Sequence, residues 1–181
     1  MIARVGDNIY SISLPNLNNV YLLLLNNNRL CIVNSTDGSS ADLLIQSLLE
    51  IKTRFNASIE YLILTDCRVE NTGGGWIIYE IFKPKVIAHY PDSISIRHGE
   101  CKGRKYNPLP ISIEIRDKVY ILNNEIILIN SKTPTAGSMI IKYKDYIISG
   151  FVEISPFELN VKYICNPKEC RKVEKFVRRI M

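Results

Sequence analysis

Thr65-Asp66-Cys67-Arg68-Val69-Glu70-Asn71-Thr72-Gly73-Gly74-Gly75, TDCRVENTGGG, lies between two apolar runs. Before it stands IEYLILT, with the β-branched and aromatic content of a buried strand. After it comes WIIYEIF, which suits a helix. Polar and charged residues squeezed between a strand and a glycine cluster mark a working loop. Its side chains nevertheless mix acid, thiol, guanidinium and amide in no familiar catalytic order.

Outward from this loop the chain alternates strand and helix signals. IYSISL alternates in polarity, and VYLLLL and RLCIV flank the hairpin turn NNN. Ser39 to Arg54 reads as a helix. Ser39 and Asp42 resemble a capping box there, and Leu44, Leu48, Ile51 and Phe55 share one face. Gly73 to Phe82 reads as a second helix and KVIAH as a short strand. Pro91 to Pro110 is rich in turn formers and reads as irregular. Six strand-like runs follow, ISIEI, VYIL, EIILIN, SMIIKYK, YIISGF and VKYI, with Lys144-Asp145 as a hairpin turn. At the end, Asn166 caps a helix from Pro167 whose apolar stripe is Val173, Phe176, Val177 and Ile180. The pattern predicts an α/β layered fold with two packed sheets and helices outside.

The 181 residues are 46% apolar and 23% charged, which suits a globular chain with a proper core. The longest apolar run, VYLLLL, is too short to span a bilayer. The first residues lack the apolar core of a signal peptide, so no membrane role and a cytoplasmic location are the default expectations. The five cysteines are odd in number and scattered, which predicts ordinary thiols; a hyperthermophilic source would admit a Cys165–Cys170 disulfide. The net charge of +5 permits an anionic partner without requiring one. Two histidines, His89 and His98, are too few for histidine-rich metal chemistry.

The order of these elements, the Thr and Gly anchors of the loop, and the later segment TAGS…ISG together resemble the metallo-β-lactamase fold family. The resemblance covers most of the chain: the N-terminal hairpin, IVNSTDGSSADLLIQSLL, YLILTDCRVENTGGG, KVIAHYPDS and ILINSKTPTAGSMIIKYKDYIISGF follow the family's order. It implies a four-layer αββα sandwich, as one domain over residues 1–181, C-terminally short of the family's last histidine. In that family a strand ending in Thr leads into His-x-His-x-Asp-His and two glycines. The resulting two-metal centre hydrolyses esters, thioesters, amides or phosphodiesters with a metal-bound hydroxide. Carried over by position, Asp66 and Arg68 stand at the first two histidines, Glu70 at the aspartate and Asn71 at the third histidine. Pro134 stands at a later histidine, Phe151 at the bridging aspartate, and Asn34 where an aspartate is common.

Such a set is wrong for a dinuclear zinc centre. Zinc takes imidazole, thiolate and carboxylate donors, whereas Arg68 is a permanent cation with no lone pair. Pro134 and Phe151 offer no side-chain donor. Asp66, Glu70 and Asn71 could hold only a hard ion such as Mg²⁺, weakly. The expected arrangement is therefore a plug, with the Arg68 guanidinium satisfying Asp66 or Glu70 where metal would sit. Cys67 beside Arg68 would have a lowered pKa as a nucleophile but lacks a placed base. TGGG lacks the spacing of a phosphate loop, and its glycines serve tight turning.

The leading expectation is a non-catalytic pseudoenzyme with a binding or assembly role, without zinc, whose partner is a protein or a second copy. One alternative is a metal-dependent hydrolase centred on Asp66 and Glu70. The other is a nucleic-acid module whose basic helix stripe is Lys168, Arg171, Lys172, Lys175 and Arg179, aided by Arg97, Lys102, Arg104 and Lys105.

Overall fold

Strand and helix signals resolve into two sheets lying face to face in the computed structural model, which describes residues 1–151 and 161–173. The first sheet has seven strands. Strands β1 (Ile2–Gly6), β2 (Ile9–Ile12), β3 (Val20–Leu25) and β4 (Arg29–Val33) form an antiparallel meander. The sheet continues in parallel with β5 (Ser58–Ile63), β6 (Lys85–His89) and β9 (Ile113–Ile115). Parallel strands need crossovers, and helices supply them. Helix α1 (Ala41–Arg54) joins β4 to β5. Helices α2 (Val69–Thr72) and α3 (Gly75–Phe82) join β5 to β6. Helix α4 (Asp92–His98) and a two-stranded hairpin, β7 (Glu100–Cys101) and β8 (Arg104–Lys105), join β6 to β9. The second sheet, in order, is β10 (Val119–Leu122), β11 (Ile126–Asn130), β12 (Met139–Tyr143), β13 (Tyr146–Ser149), β14 (Tyr163–Cys165) and β15 (Cys170–Lys172).

The period of two in the apolar runs explains the layering. On β3, Val20 and Leu22 face the helices, where they meet Leu44, Leu48, Ile51 and Ile78. Tyr21, Leu23 and Leu25 point the other way, onto Ile126, Leu128, Ile141, Tyr143 and Ile148 of the second sheet. A strand buried on both faces needs such an unbroken apolar run, and VYLLLL supplies it. The turn Asn26–Asn28 puts Asn27 and Asn28 at φ of 60° and 53°, a region asparagine tolerates better than most residues.

Several local expectations are corrected. Ser39 makes no capping box with Asp42. Its amide and hydroxyl both donate to Asp37 Oδ1, and the helix starts after Ser40. The predicted helix Gly73–Phe82 begins at Gly75, and a separate short helix, Val69–Thr72, precedes it, with Gly73 and Gly74 between the two. The Pro91–Pro110 segment is not irregular: it holds α4 and the β7–β8 hairpin. The helix predicted from Pro167 is absent over the described part of its span. Asn166 Oδ1 does accept the N–H groups of Lys168 (2.8 Å) and Glu169 (3.0 Å), as an N-cap would, but the turn leads into β15 instead. Phe176, Val177 and Ile180 of its stripe lie outside the described residues.

The expected free thiols are also corrected. Cys67 is bonded to Cys101 and Cys165 to Cys170; only Cys31 is free, fully buried, with its thiol pushed up by burial. Cys67 and Cys101 stand 34 residues apart in sequence, so only the fold brings them together. No helix of the described residues is long and apolar enough to cross a membrane.

Candidate functional site

The site lies where the carboxyl ends of the parallel strands β4, β5 and β6 meet loops from the second sheet, the usual place for ligands in open α/β sheets. Three connections build its floor. Asn34, just after β4, accepts from the amide of Thr65 (3.0 Å) and from its hydroxyl (2.9 Å) through one side-chain oxygen. Gly74 N–H donates to Thr36 O at 3.2 Å, and a Cβ on Gly74 would run into Ser35 O, so the glycine is required by close backbone approach. Met139 N–H, entering β12, donates to Thr65 O at 2.7 Å and ties the second sheet to the loop.

Asp66 is 1% exposed and sits at the centre. Its Oδ1 accepts from the backbone N–H of Arg68 (2.9 Å) and from Arg68 Nε (3.2 Å). Its Oδ2 accepts from an Arg68 terminal nitrogen (2.8 Å) and from Asn71 Nδ2 (2.9 Å). Those four bonds fill the four acceptor positions of a carboxylate. The same Arg68 nitrogen donates to Gly150 O at 2.8 Å, and Asn71 also reaches that carbonyl at 3.4 Å. Asn71 Oδ1 in turn accepts from Asn18 Nδ2 at 3.0 Å, and Thr72 Oγ1 donates to Asp66 O at 2.7 Å. Burial pushes the Asp66 carboxyl above its ordinary range, and the Arg68 bonds and charge offset this only in part.

The other positions carried over from the resemblance are not all drawn in. Glu70 turns outward and pairs with Arg104, both partly exposed, so of the two carboxylates expected as partners of Arg68 only Asp66 takes that place. Phe151 is exposed, with the Arg68 guanidinium carbon 5.8 Å from its ring centre. Pro134 follows a cis peptide bond, and its carbonyl accepts from Lys102 Nζ at 3.1 Å. Both line a cavity of about 260 Å³ with Asp66, Ser138, Met139 and Ser149.

The cavity's three serines are committed inward. Ser149 Oγ donates to Phe151 O, Ser131 Oγ donates to backbone carbonyls, and Ser138 Oγ is engaged by the amide and hydroxyl of Thr135. Gly150 allows this closeness. A Cβ there would collide with Thr65 Oγ1 and come within 2.7 Å of Asn71 Nδ2 and 2.9 Å of Asp66 Oδ2. Gly150→Ala is expected to cost about 1–3 kcal/mol through the forced shift, as overpacking does. Urea denaturation of the two proteins checks it; equal midpoints would contradict it.

One residue went unread in the sequence. Asp92, buried at the start of α4, accepts from Cys67 N–H (2.8 Å), Gly137 N–H (2.9 Å) and the Thr135 hydroxyl. It joins the Asp66 loop to the Ser131–Ser138 connection. Its signal was available: a lone acid directly beyond the carboxyl end of a parallel strand, in HYPD.

The two histidines lie apart from this cluster. His89 is buried and its ring bonds the carbonyls of Tyr90 and Asp117 (3.1 Å for the latter), while His98 is exposed at the end of α4. Cys67, in its disulfide, has no thiol to act as a nucleophile.

A divalent metal does not fit this donor set. The Asp66 carboxylate is saturated, the nearest cation is Arg68, and Pro134 and Phe151 lack side-chain donors. Among the described residues no group of three or more His, Cys, Asp or Glu side chains is placed to hold a metal. The basic residues Lys168, Arg171 and Lys172 lie on the β14–β15 hairpin rather than on a helix face, so the continuous helical stripe is corrected there; Lys175 and Arg179 lie outside the described residues.

No protein-family model matches the chain, and no curated protein sequence does. Solved structures do. A metallo-β-lactamase of Cronobacter sakazakii, in a HARLDQ-motif mutant form, superposes with a TM-score of 0.69 at 14% identity, covering 92% of this chain and 79% of its own. A B3 metallo-β-lactamase described as the first with an active-site glutamic acid gives 0.74 at 15%, covering 92% and 77%. BJP-1, a subclass B3 metallo-β-lactamase of Bradyrhizobium japonicum, gives 0.67 at 12%, covering 92% and 76%. The chain therefore has the metallo-β-lactamase fold, with Asp66, Arg68 and Asn71 locked together where the resemblance places histidine ligands.

Proposed function

We propose that the chain is a non-catalytic member of this fold class, kept for binding or assembly and working without zinc. The observation that carries the reading is the Arg68 guanidinium, held bidentately by Asp66 and anchored on Gly150 O. It places a permanent positive charge, rather than a ligand, at the centre of the site. A nucleophilic water there would have neither a metal to lower its pKa nor a free carboxylate to take its proton. The hydrolase reading centred on Asp66 and Glu70 is disfavoured because the two carboxylates serve different arginines.

Elemental analysis tests the proposal. The full chain is loaded with Zn²⁺, Mn²⁺ or Mg²⁺, dialysed against metal-free buffer and measured. Substoichiometric metal, with no hydrolysis of ester or phosphodiester substrates, is the expected outcome. One or two ions per chain that survive dialysis would overturn it. Light scattering of the same samples reads the assembly role as a mass above that of one chain.

A further inference from the structure

We propose that the Cys67–Cys101 disulfide is a thiol-operated latch holding the Glu100–Lys105 hairpin across the site loop. Cys67 lies between Asp66 and Arg68, and Cys101 is half of a two-residue strand. Cys101 and Tyr106 meet the helix-side core at the hairpin's base, where Tyr106 N–H donates to Gly99 O at 2.9 Å, but the turn beyond them has little else to hold it. The hairpin's strands pair over two residues each, and Lys102 to Lys105 are exposed. A two-stranded ribbon this short is marginal in water. Its remaining ties to the site are Lys102 Nζ to Pro134 O, the exposed Arg104–Glu70 pair, and the following Tyr106 hydroxyl to Cys67 O at 2.7 Å. Exposed ion pairs of this kind add little.

The segments on either side are anchored in the core. Ile96 of α4 is fully buried and Leu109 is 1% exposed, both packed in the helix-side cluster. Opening would thus be confined to the segment between them, as a local unit of low stability. The Cys165–Cys170 bond has no comparable reach, because it joins directly paired residues of one hairpin.

The operating reaction is exchange with a dithiol. One thiolate of the reductant attacks Sγ of Cys101, the S–S bond breaks, and Cys67 leaves as a thiolate. The reductant's second thiol then displaces Cys101. The protein gains two electrons and two protons, and the reductant leaves as its disulfide. Release loosens Lys105 and Tyr106, which with Val69, Gly73 and Trp76 line a neighbouring groove of about 390 Å³. The reduced state also presents the Cys67 thiol beside Arg68.

Trypsin reads the latch, because Lys102, Arg104 and Lys105 are its targets. The full chain carrying Cys165→Ser and Cys170→Ser isolates the first disulfide. Cleavage after these three residues is followed by mass spectrometry with and without dithiothreitol, alongside hydrogen exchange of the β5 and β6 amides. Reduction is expected to speed hairpin cleavage on the order of tenfold or more, with β5 and β6 protection unchanged. Adding Cys101→Ser should give the fast rate under both conditions. Equal rates for oxidised and reduced protein would overturn the latch. So would loss of β5 and β6 protection on reduction, which would make the bond a global staple, or failure of the bond to form in air-oxidised protein.

Discussion

Arg68→Ala is expected to destabilise the protein by about 3 kcal/mol at pH 7. Removing one partner of a buried ion pair costs about 3–5 kcal/mol, because the other charge is left uncompensated. The low end applies because the Arg68 side chain keeps 22% exposure while that of Asp66 keeps 1%. The loss should depend on pH in a defined direction. Burial already raises the Asp66 pKa in the folded state. An acid whose folded pKa lies above its unfolded value binds more protons when folded, so stability falls as pH rises from the unfolded pKa through the folded one. Without Arg68 that shift grows. The variant should therefore recover part of its deficit between about pH 7 and pH 4, near the unfolded value of an aspartate. Urea denaturation at the two pH values measures both effects. Adding Asp66→Asn to the variant should recover stability at pH 7, since no charge is then stranded. An Arg68→Ala protein as stable as its parent at pH 7 would remove the plug from the account of this site.

What the sequence discloses here, and what it hides, follows from range. Buried strands such as VYLLLL and YLILT and the glycine anchors at Gly73 and Gly74 carry their own local signatures, so the sheets and the site loop were legible. The Asp66–Arg68 pair was legible for the same reason: its partners are two residues apart, in one loop. The Glu70 partner is hidden because Arg104 is 34 residues away, in a segment whose sequence reads as irregular. The Cys67–Cys101 bond was missed for the same cause. Asn166 is instructive in another way, since its side chain makes the bonds of a helix cap. What decides between helix and hairpin is tertiary: Asn19 Nδ2 holds Lys168 O at 2.8 Å, Tyr21 Oη holds Asn166 O at 2.6 Å, and β15 pairs back onto β14. Local capping signals are weak against such a set.

Asp92→Ala should rival the loss at Arg68, although Asp92 touches neither Arg68 nor the cavity's open side. Its two oxygens serve two backbone N–H groups and one hydroxyl, all buried. Thr135 can turn to Ser138 Oγ, already 2.7 Å away, so its hydroxyl need not be orphaned. The amides of Cys67 and Gly137 have no such recourse. A buried donor left without an acceptor costs about 1–3 kcal/mol, and two of them give roughly 3–4 kcal/mol for the variant. Asp92→Asn should recover about half, since it keeps one acceptor oxygen and turns an NH₂ toward the other donor. Its consequence reaches the site because Cys67 is flanked by Asp66 and Arg68, and Gly137 belongs to the connection that carries Pro134 and Ser138. Hydrogen exchange makes the claim local: the Cys67 and Gly137 amides should lose protection in Asp92→Ala while those of β3 and β4 keep theirs. A variant within about 1 kcal/mol of the parent would mean that water replaces the carboxylate at no cost, and that the two loops hold their positions by backbone contacts such as Met139 N–H to Thr65 O alone.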